Sequence, residues 1–162
     1  MNMTNTTQAS RTLHLMDIEN LVGFARPSEL EVQTCLEHYA DLVDTSGPNQ
    51  LIVACNHGAA HAVGCCLGES PRLLVRSGAD GADYALLDVL SYENVEHRFG
   101  HLVIASGDGI FASRVAEITS MGIPVTVVAR RESLAPRLRL AATEVIFFEP
   151  QVFPDYPIAV AA

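Results

Sequence analysis

The stretch Leu102-Val103-Ile104-Ala105-Ser106-Gly107-Asp108-Gly109-Ile110-Phe111 decides the fold. Its four leading apolar residues are too short a run for a helix and suit a buried strand. The Gly107-Asp108-Gly109 turn follows, and then Phe111, Val115 and Ile118 recur at spacings of four and three, one face of a helix. A strand feeding straight into a helix is half of a βαβ unit, and the same alternation runs outward in both directions. Upstream, Leu13–Met16 is a short apolar strand ending in Asp17, and no helix start is read between Asp17 and Ser28. Ser28-x-x-Glu31 behind Pro27 reads as a capping box, followed by Val32, Leu36, Tyr39 and Val43 on one helical face. Leu51–Cys55 is a strand, Gly58–Leu67 a helix, Leu73–Val75 a strand, and Asp80 opens a helix carrying Leu86, Leu87 and Leu90. Downstream, Pro124–Ala129 and Val145–Phe148 are strands, the latter at an edge, with a short helix begun by Ser133 between them. The expected fold is α/β: a three-layer α/β/α, Rossmann-like arrangement with a mostly parallel five- or six-stranded sheet. It occupies residues 12–149 as one domain, between a polar segment 1–11 and a tail 150–162 with three prolines, expected to be irregular.

Composition narrows the chemistry. The chain has 162 residues and no lysine; its ten basic residues are all arginine, against nineteen carboxylates, for a net charge of −9. A P-loop needs its lysine on the phosphates, and Schiff-base catalysis needs a lysine amine, so both are excluded. Receiver-domain chemistry would lack its usual lysine, and a lysine-rich nucleic-acid tail is absent. Gly107-Asp108-Gly109 is not the GxGxxG that follows the first strand of a dinucleotide-binding domain. Ile104-Ala105-Ser106-Gly107-Asp108 lacks the first glycine of a nucleophile elbow, and Asp17-Ile18-Glu19 does not match the DxD of haloacid-dehalogenase-type phosphatases. The polar start and the absence of any apolar run near the ~20 residues that span a bilayer predict a cytoplasmic protein with no membrane contact. Cys35, Cys55, Cys65 and Cys66 form no CxxC and read as reduced, mostly buried thiols.

In open parallel sheets ligands sit at the carboxyl ends of strands, where the strand order reverses. Asp17 ends the first strand, Ser106-Gly107-Asp108 ends the fourth, and Asp80 and Asp83 open the helix after the third. If strands one and four are neighbours at the switch point, Asp17, Asp83 and Asp108 converge there. Carboxylates so placed repel one another, and a divalent cation with hard oxygen ligands, Mg²⁺ or Mn²⁺, relieves the repulsion. The competing use is capping: Asp80 and Asp108 precede helices, and Asp83 would favour a helix dipole. Asp17 is the acid that capping explains least.

At this point the residues resemble a family. Asp17-Ile18-Glu19-Asn20 after a first apolar strand resembles the D-x-x-N opening of NYN domains, in the PIN-like nuclease group. Gly81-Ala82-Asp83-Tyr84-Ala85-Leu86-Leu87-Asp88 resembles the family's central acidic helix, and Ser106-Gly107-Asp108-Gly109-Ile110-Phe111 its S-G-D-x-D-F turn. Gly122-Ile123-Pro124-Val125 and Ser133-Leu134 match its closing strand and helix, so the resemblance runs from about Leu13 to Phe148. It implies a PIN-like fold and a metal-dependent endoribonuclease, with Asp17, Asp83 and Asp108 as ligands to Mg²⁺ or Mn²⁺ and Asn20 orienting water or a phosphate. Asp88 matches a second acidic position, but five residues place it about 140° from Asp83 around a helix. With Asp80 and Ser106 it forms a second rank. Ile110 stands where the family often has another acid, which leaves fewer ligands for a second ion.

The expected partner is RNA, single-stranded, its backbone contacted by Arg130 and Arg131 after strand five, with Arg76 on the same edge. A bidentate guanidinium suits phosphate, and a solvated loop is the competing reading. Residues 1–109 hold five arginines and fourteen acids, residues 110–162 five of each, so the acidic excess opposes non-specific RNA binding. Two rival functions follow: a non-cleaving PIN-like regulatory or assembly module, or a small nucleotide phosphatase. His57, His61 and Cys65 at i, i+4, i+8 suggest zinc without an evident fourth ligand, or a half-buried helical face. His14, in strand one, reads as structural. Val152, Phe153, Ile158 and Val160 in the tail offer an apolar surface to a homodimer.

Overall fold

A computed structural model describes residues 11–149. The tail and the apolar surface read there for a homodimer lie outside the described residues, as does the polar segment up to residue 10. Six strands form one sheet: β1 (Thr12–Asp17), β2 (Asn49–Cys55), β3 (Arg72–Val75), β4 (His101–Ala105), β5 (Val125–Ala129) and β6 (Glu144–Phe147). Their order is β3-β2-β1-β4-β5-β6, and every pair is parallel. The helices are α1 (Ile18–Val22), α2 (Glu29–Leu42), α3 (Ala60–Cys66), α4 (Gly81–Tyr92), α5 (Val95–Arg98), α6 (Ala112–Ser120) and α7 (Pro136–Ala141), with a 3-10 turn over Gly109–Phe111.

Alternation along the strands divides the core in two. Leu13 and Leu15, Ile52 and Ala54, Leu102 and Ile104, and Val125 and Val127 pack on one face under α4, α5, α6 and α7. Met16, Val53, Cys55, Val103, Ala105 and Val128 pack on the other, under α1, α2 and α3. This is the three-layer arrangement expected from the sequence, with all six strands present and all parallel. His14 points to the α2 side, where its Nδ1 lies 2.8 Å from the Tyr39 hydroxyl. Burial holds its pKa down at about 4, so the ring is neutral and structural at neutral pH.

Several boundaries differ from the sequence reading, each for a local reason. α1 was not anticipated: it has five residues, too few to show a period, and Gly23 in the left-handed region (φ 98°) ends it. Asp17 caps it, its side chain accepting the Asn20 N–H, so capping does account for Asp17. Asp80, by contrast, caps nothing: it sits at φ 58° with no side-chain hydrogen bond to α4. The last helix starts at Pro136 rather than Ser133, because proline suits the first helical position and Ser133 is engaged elsewhere. α3 begins at Ala60, which leaves His57 outside it. No described helix is long and apolar enough to cross a membrane.

Candidate functional site

The strand order reverses between β1 and β4, whose carboxyl ends carry Asp17 and Ser106-Gly107-Asp108. α4 returns from β3 across this edge and brings its first turn over the pair. Asp17 and Asp83 are 5% and 6% exposed, Asp108 is half-buried and Asp80 exposed. Carboxylate oxygens of Asp80, Asp83 and Asp108 all lie within 4.8 Å of one another. Asp17 adjoins this group through Asp83, close enough for the two carboxyls to perturb each other's titration. Asp80, ranked second from sequence, therefore belongs to the cluster, held there by the backbone conformation that stops it capping.

The electrostatics follow from the burial. Desolvation first, then the neighbouring Asp17 charge, push the Asp83 carboxyl up to about 8, with Asp108 and Asp80 adding to it. Burial also raises Asp17, against the Asn20 N–H that favours its charged form. No ion pair among the described residues reaches Asp17, Asp80, Asp83 or Asp108. Asp83 Oδ1 is buried without a hydrogen-bond partner among the described residues. A buried, unpartnered carboxylate oxygen is costly unless something satisfies it. Hard oxygen donors at this spacing fit a divalent cation of the Mg²⁺ or Mn²⁺ kind.

The other residues singled out by sequence divide between support and surface. Ser106 is fully buried and its Oγ accepts the Asp108 N–H at 3.2 Å, shaping the turn. Asp108 Oδ1 accepts the Ile110 N–H at 2.8 Å, while the Ile110 side chain packs into the α4–α7 core and brings no acid. Asn20 Oδ1 accepts from the Gly107 N–H at 3.0 Å and from Ser133 Oγ at 3.3 Å, and its backbone carbonyl accepts from Arg130 Nε at 3.0 Å. Asn20 thus ties the ends of β1, β4 and β5 together. A Cβ on Gly107 would run into the Ser133 carbonyl, which is why this loop can approach so closely.

Arg130 is further held by Glu132 at 3.1 Å. Arg131 pairs with Glu149 at 3.1 Å and lies 4.0 Å from the centre of the Phe147 ring. Arg76 pairs with Asp88 at 3.0 Å, which places Asp88 on the outer flank of α4 rather than in the cluster. Glu19, not singled out from sequence, ties α1 to the residue that follows β2 by accepting the Asn56 N–H at 2.6 Å.

The basic residue the sequence reading missed is Arg137. Its guanidinium covers Gly109, next to Asp108: a Cβ there would fall 2.8 Å from Nη2. Arg137 is exposed and makes no ion pair among the described residues. The Ala135 N–H donating to the Gly107 carbonyl at 2.8 Å seats the start of α7 on the turn and so brings Arg137 there. No local pattern announces a contact made through packing 28 residues away in sequence.

No family model matches the chain, and no curated protein matches it. Among solved structures it is similar to a protein of unknown function from Vibrio parahaemolyticus, 16% identical, covering 90% of this chain and 96% of that one with a TM-score of 0.56. That likeness supports the fold alone.

Proposed function

We propose that this chain is a PIN-like, NYN-type ribonuclease that hydrolyses RNA phosphodiesters with Mg²⁺ or Mn²⁺. The observation that carries the reading is the buried, unpartnered Asp83 Oδ1 among Asp17, Asp80 and Asp108 at the sheet's switch point. Asp83, Asp108 and Asp80 would hold the cation, with Asp17 completing the anionic wall behind them. Such an ion supplies polarisation of a phosphoryl oxygen and a lowered water pKa. Ile110, committed to the core, favours one ion over two. Asn20 acts as a positioning residue, holding the Gly107-Asp108 turn against β1 and the β5 loop. Arg130 and Arg131 have structural partners, so Arg137 is the better placed contact for a substrate phosphate, presenting a planar fork beside Asp108.

Single-stranded RNA incubated with Mn²⁺ is expected to yield 5′-phosphate and 3′-hydroxyl ends, with cleavage lost on chelation. Asp17→Asn should slow it about tenfold or more, because the amide oxygen keeps the α1 cap while the charge is gone. Equal cleavage by both proteins would remove Asp17 from the proposed site, and equal cleavage by Asp83→Asn would remove the site itself. Arg137→Ala is expected to raise KM for RNA about tenfold with little change in kcat, an effect of lost ground-state phosphate binding. A fall in kcat alone would place Arg137 in the reaction itself.

The non-cleaving module is the second reading, favoured by the engagement of Arg130 and Arg131 in ion pairs within the fold. Calorimetry separates the two: no Mn²⁺ affinity near about millimolar or better supports the module, and in activity assays mononucleotide turnover without polymer cleavage supports a phosphatase.

A further inference from the structure

On the face opposite α4, a second cluster gathers that the acidic site does not use. His61 and Cys65 stand one turn apart on α3, and Glu29 opens α2 across from them. His61 Nε2 lies 3.8 Å from Cys65 Sγ and 3.7 Å from Glu29 Oε1, and all three ligand atoms fall within 4.8 Å of one another. These side chains are exposed, not a half-buried helical face, and Cys65 is a free thiol outside the core. Neighbouring Cys66 donates its thiol to the Glu29 carbonyl at 3.3 Å, which seats α3 on the first turn of α2. The Ser28–Glu31 capping box fixes that turn from the other side. His57, which the sequence spacing had joined to this set, bonds Ser77 instead.

From this geometry we infer a zinc site formed by Glu29, His61 and Cys65. The 3.7 Å between His61 Nε2 and Glu29 Oε1 is too long for a hydrogen bond, while the His61–Cys65 contact is a long sulfur hydrogen bond. Both separations are close to what a shared tetrahedral ion imposes. Zn–S of about 2.3 Å and Zn–N or Zn–O of about 2.0–2.1 Å set neighbouring ligand atoms roughly 3.4–3.6 Å apart. A thiolate, an imidazole and a carboxylate suit borderline Zn²⁺ and set this site apart from the all-oxygen cluster. The exposed side leaves the fourth position to water. The ion would clamp α3 to α2, two helices joined through a strand and a loop rather than by a direct turn.

The test uses the full-length protein, stripped of metal under reducing conditions and titrated with Co²⁺ as a spectroscopic stand-in for Zn²⁺. One equivalent should produce a thiolate-to-cobalt charge-transfer band with tetrahedral ligand-field absorption, and Zn²⁺ should displace it. Cys65→Ser and His61→Ala should each weaken Co²⁺ binding at least about tenfold, and Cys65→Ser should remove the charge-transfer band. Cys66→Ser and Asp83→Asn should keep both the band and the affinity. Thermal melting of the metal-free variants checks that they fold, and Zn²⁺ should raise the melting temperature of the wild type but not of Cys65→Ser. No charge-transfer band in the wild type, or a band that survives Cys65→Ser, overturns the assignment.

Discussion

Replacing Asp83 with asparagine is expected to stabilise the metal-free protein at neutral and alkaline pH while lowering metal-dependent RNA cleavage about a thousandfold. The two effects share one origin. Asp83 is 6% exposed and set against Asp17, so the folded protein holds its proton up to about 8, whereas the unfolded chain releases it near 3.8. Below the unfolded value the carboxyl is neutral in both states and its contribution to stability is fully present. As pH rises through the folded value, the unfolded state has already lost its proton and the folded state must lose one too, so that contribution is lost. Asparagine resembles the protonated acid and does not titrate.

Urea denaturation of the two proteins without metal should therefore agree near pH 4 and diverge as pH rises. The variant should be the more stable by about 1–3 kcal/mol at pH 8. Mn²⁺ should close or reverse that gap, adding about 2.7 kcal/mol to the wild type at a hundred times its Kd and little to the variant. A wild type whose stability is flat between pH 4 and pH 8 would remove the raised Asp83 titration, and a variant that gains as much from Mn²⁺ as the wild type would show that Asp83 is not the ion's anchor.

Much of this arrangement was legible before the fold, and the limits have physical reasons. The strand ends could be read because a parallel sheet buries both faces, so its strands stand out as apolar runs and their last residues are well defined. Asp17, Asp108 and the first turn of α4 were placed on one edge that way. Asp80 misled because Asp80-Gly81-Ala82-Asp83 looks like a capped helix start, and only the left-handed backbone at Asp80 turns its carboxylate toward Asp83 and Asp108 instead. The arginines misled for a different reason. Position after a strand puts a side chain on the correct edge, but neighbours such as Glu132, Glu149 and Asp88 decide whether its charge is free. Glu29 and His61 are 32 residues apart, and Gly109 and Arg137 are 28. Contacts between separate helices and turns leave no periodic trace in one sequence.

Asn20 provides the second large effect, and it separates two ways of using the same side chain. The family resemblance makes Asn20 a direct partner of water or phosphate, whereas its carbonyl oxygen is already committed to Gly107 and Ser133. Asn20→Ala would leave the buried Gly107 N–H without its acceptor, at a cost of about 1–3 kcal/mol, and would free the turn that carries Asp108. If Asp108 holds the proposed ion, displacing it by about 1 Å is enough to lower turnover about a hundredfold. A brace therefore predicts that the urea midpoint, the Mn²⁺ affinity and the cleavage rate all fall together. It also predicts that Asn20→Asp, which keeps the acceptor, restores the urea midpoint relative to Asn20→Ala. A direct contact with the scissile phosphate predicts a different pattern, with cleavage lost while the urea midpoint and the Mn²⁺ affinity stay at wild-type values. The hydrogen bonds that join Asn20 to the ends of β4 and β5 favour the first pattern, because they engage the side-chain oxygen before any substrate arrives.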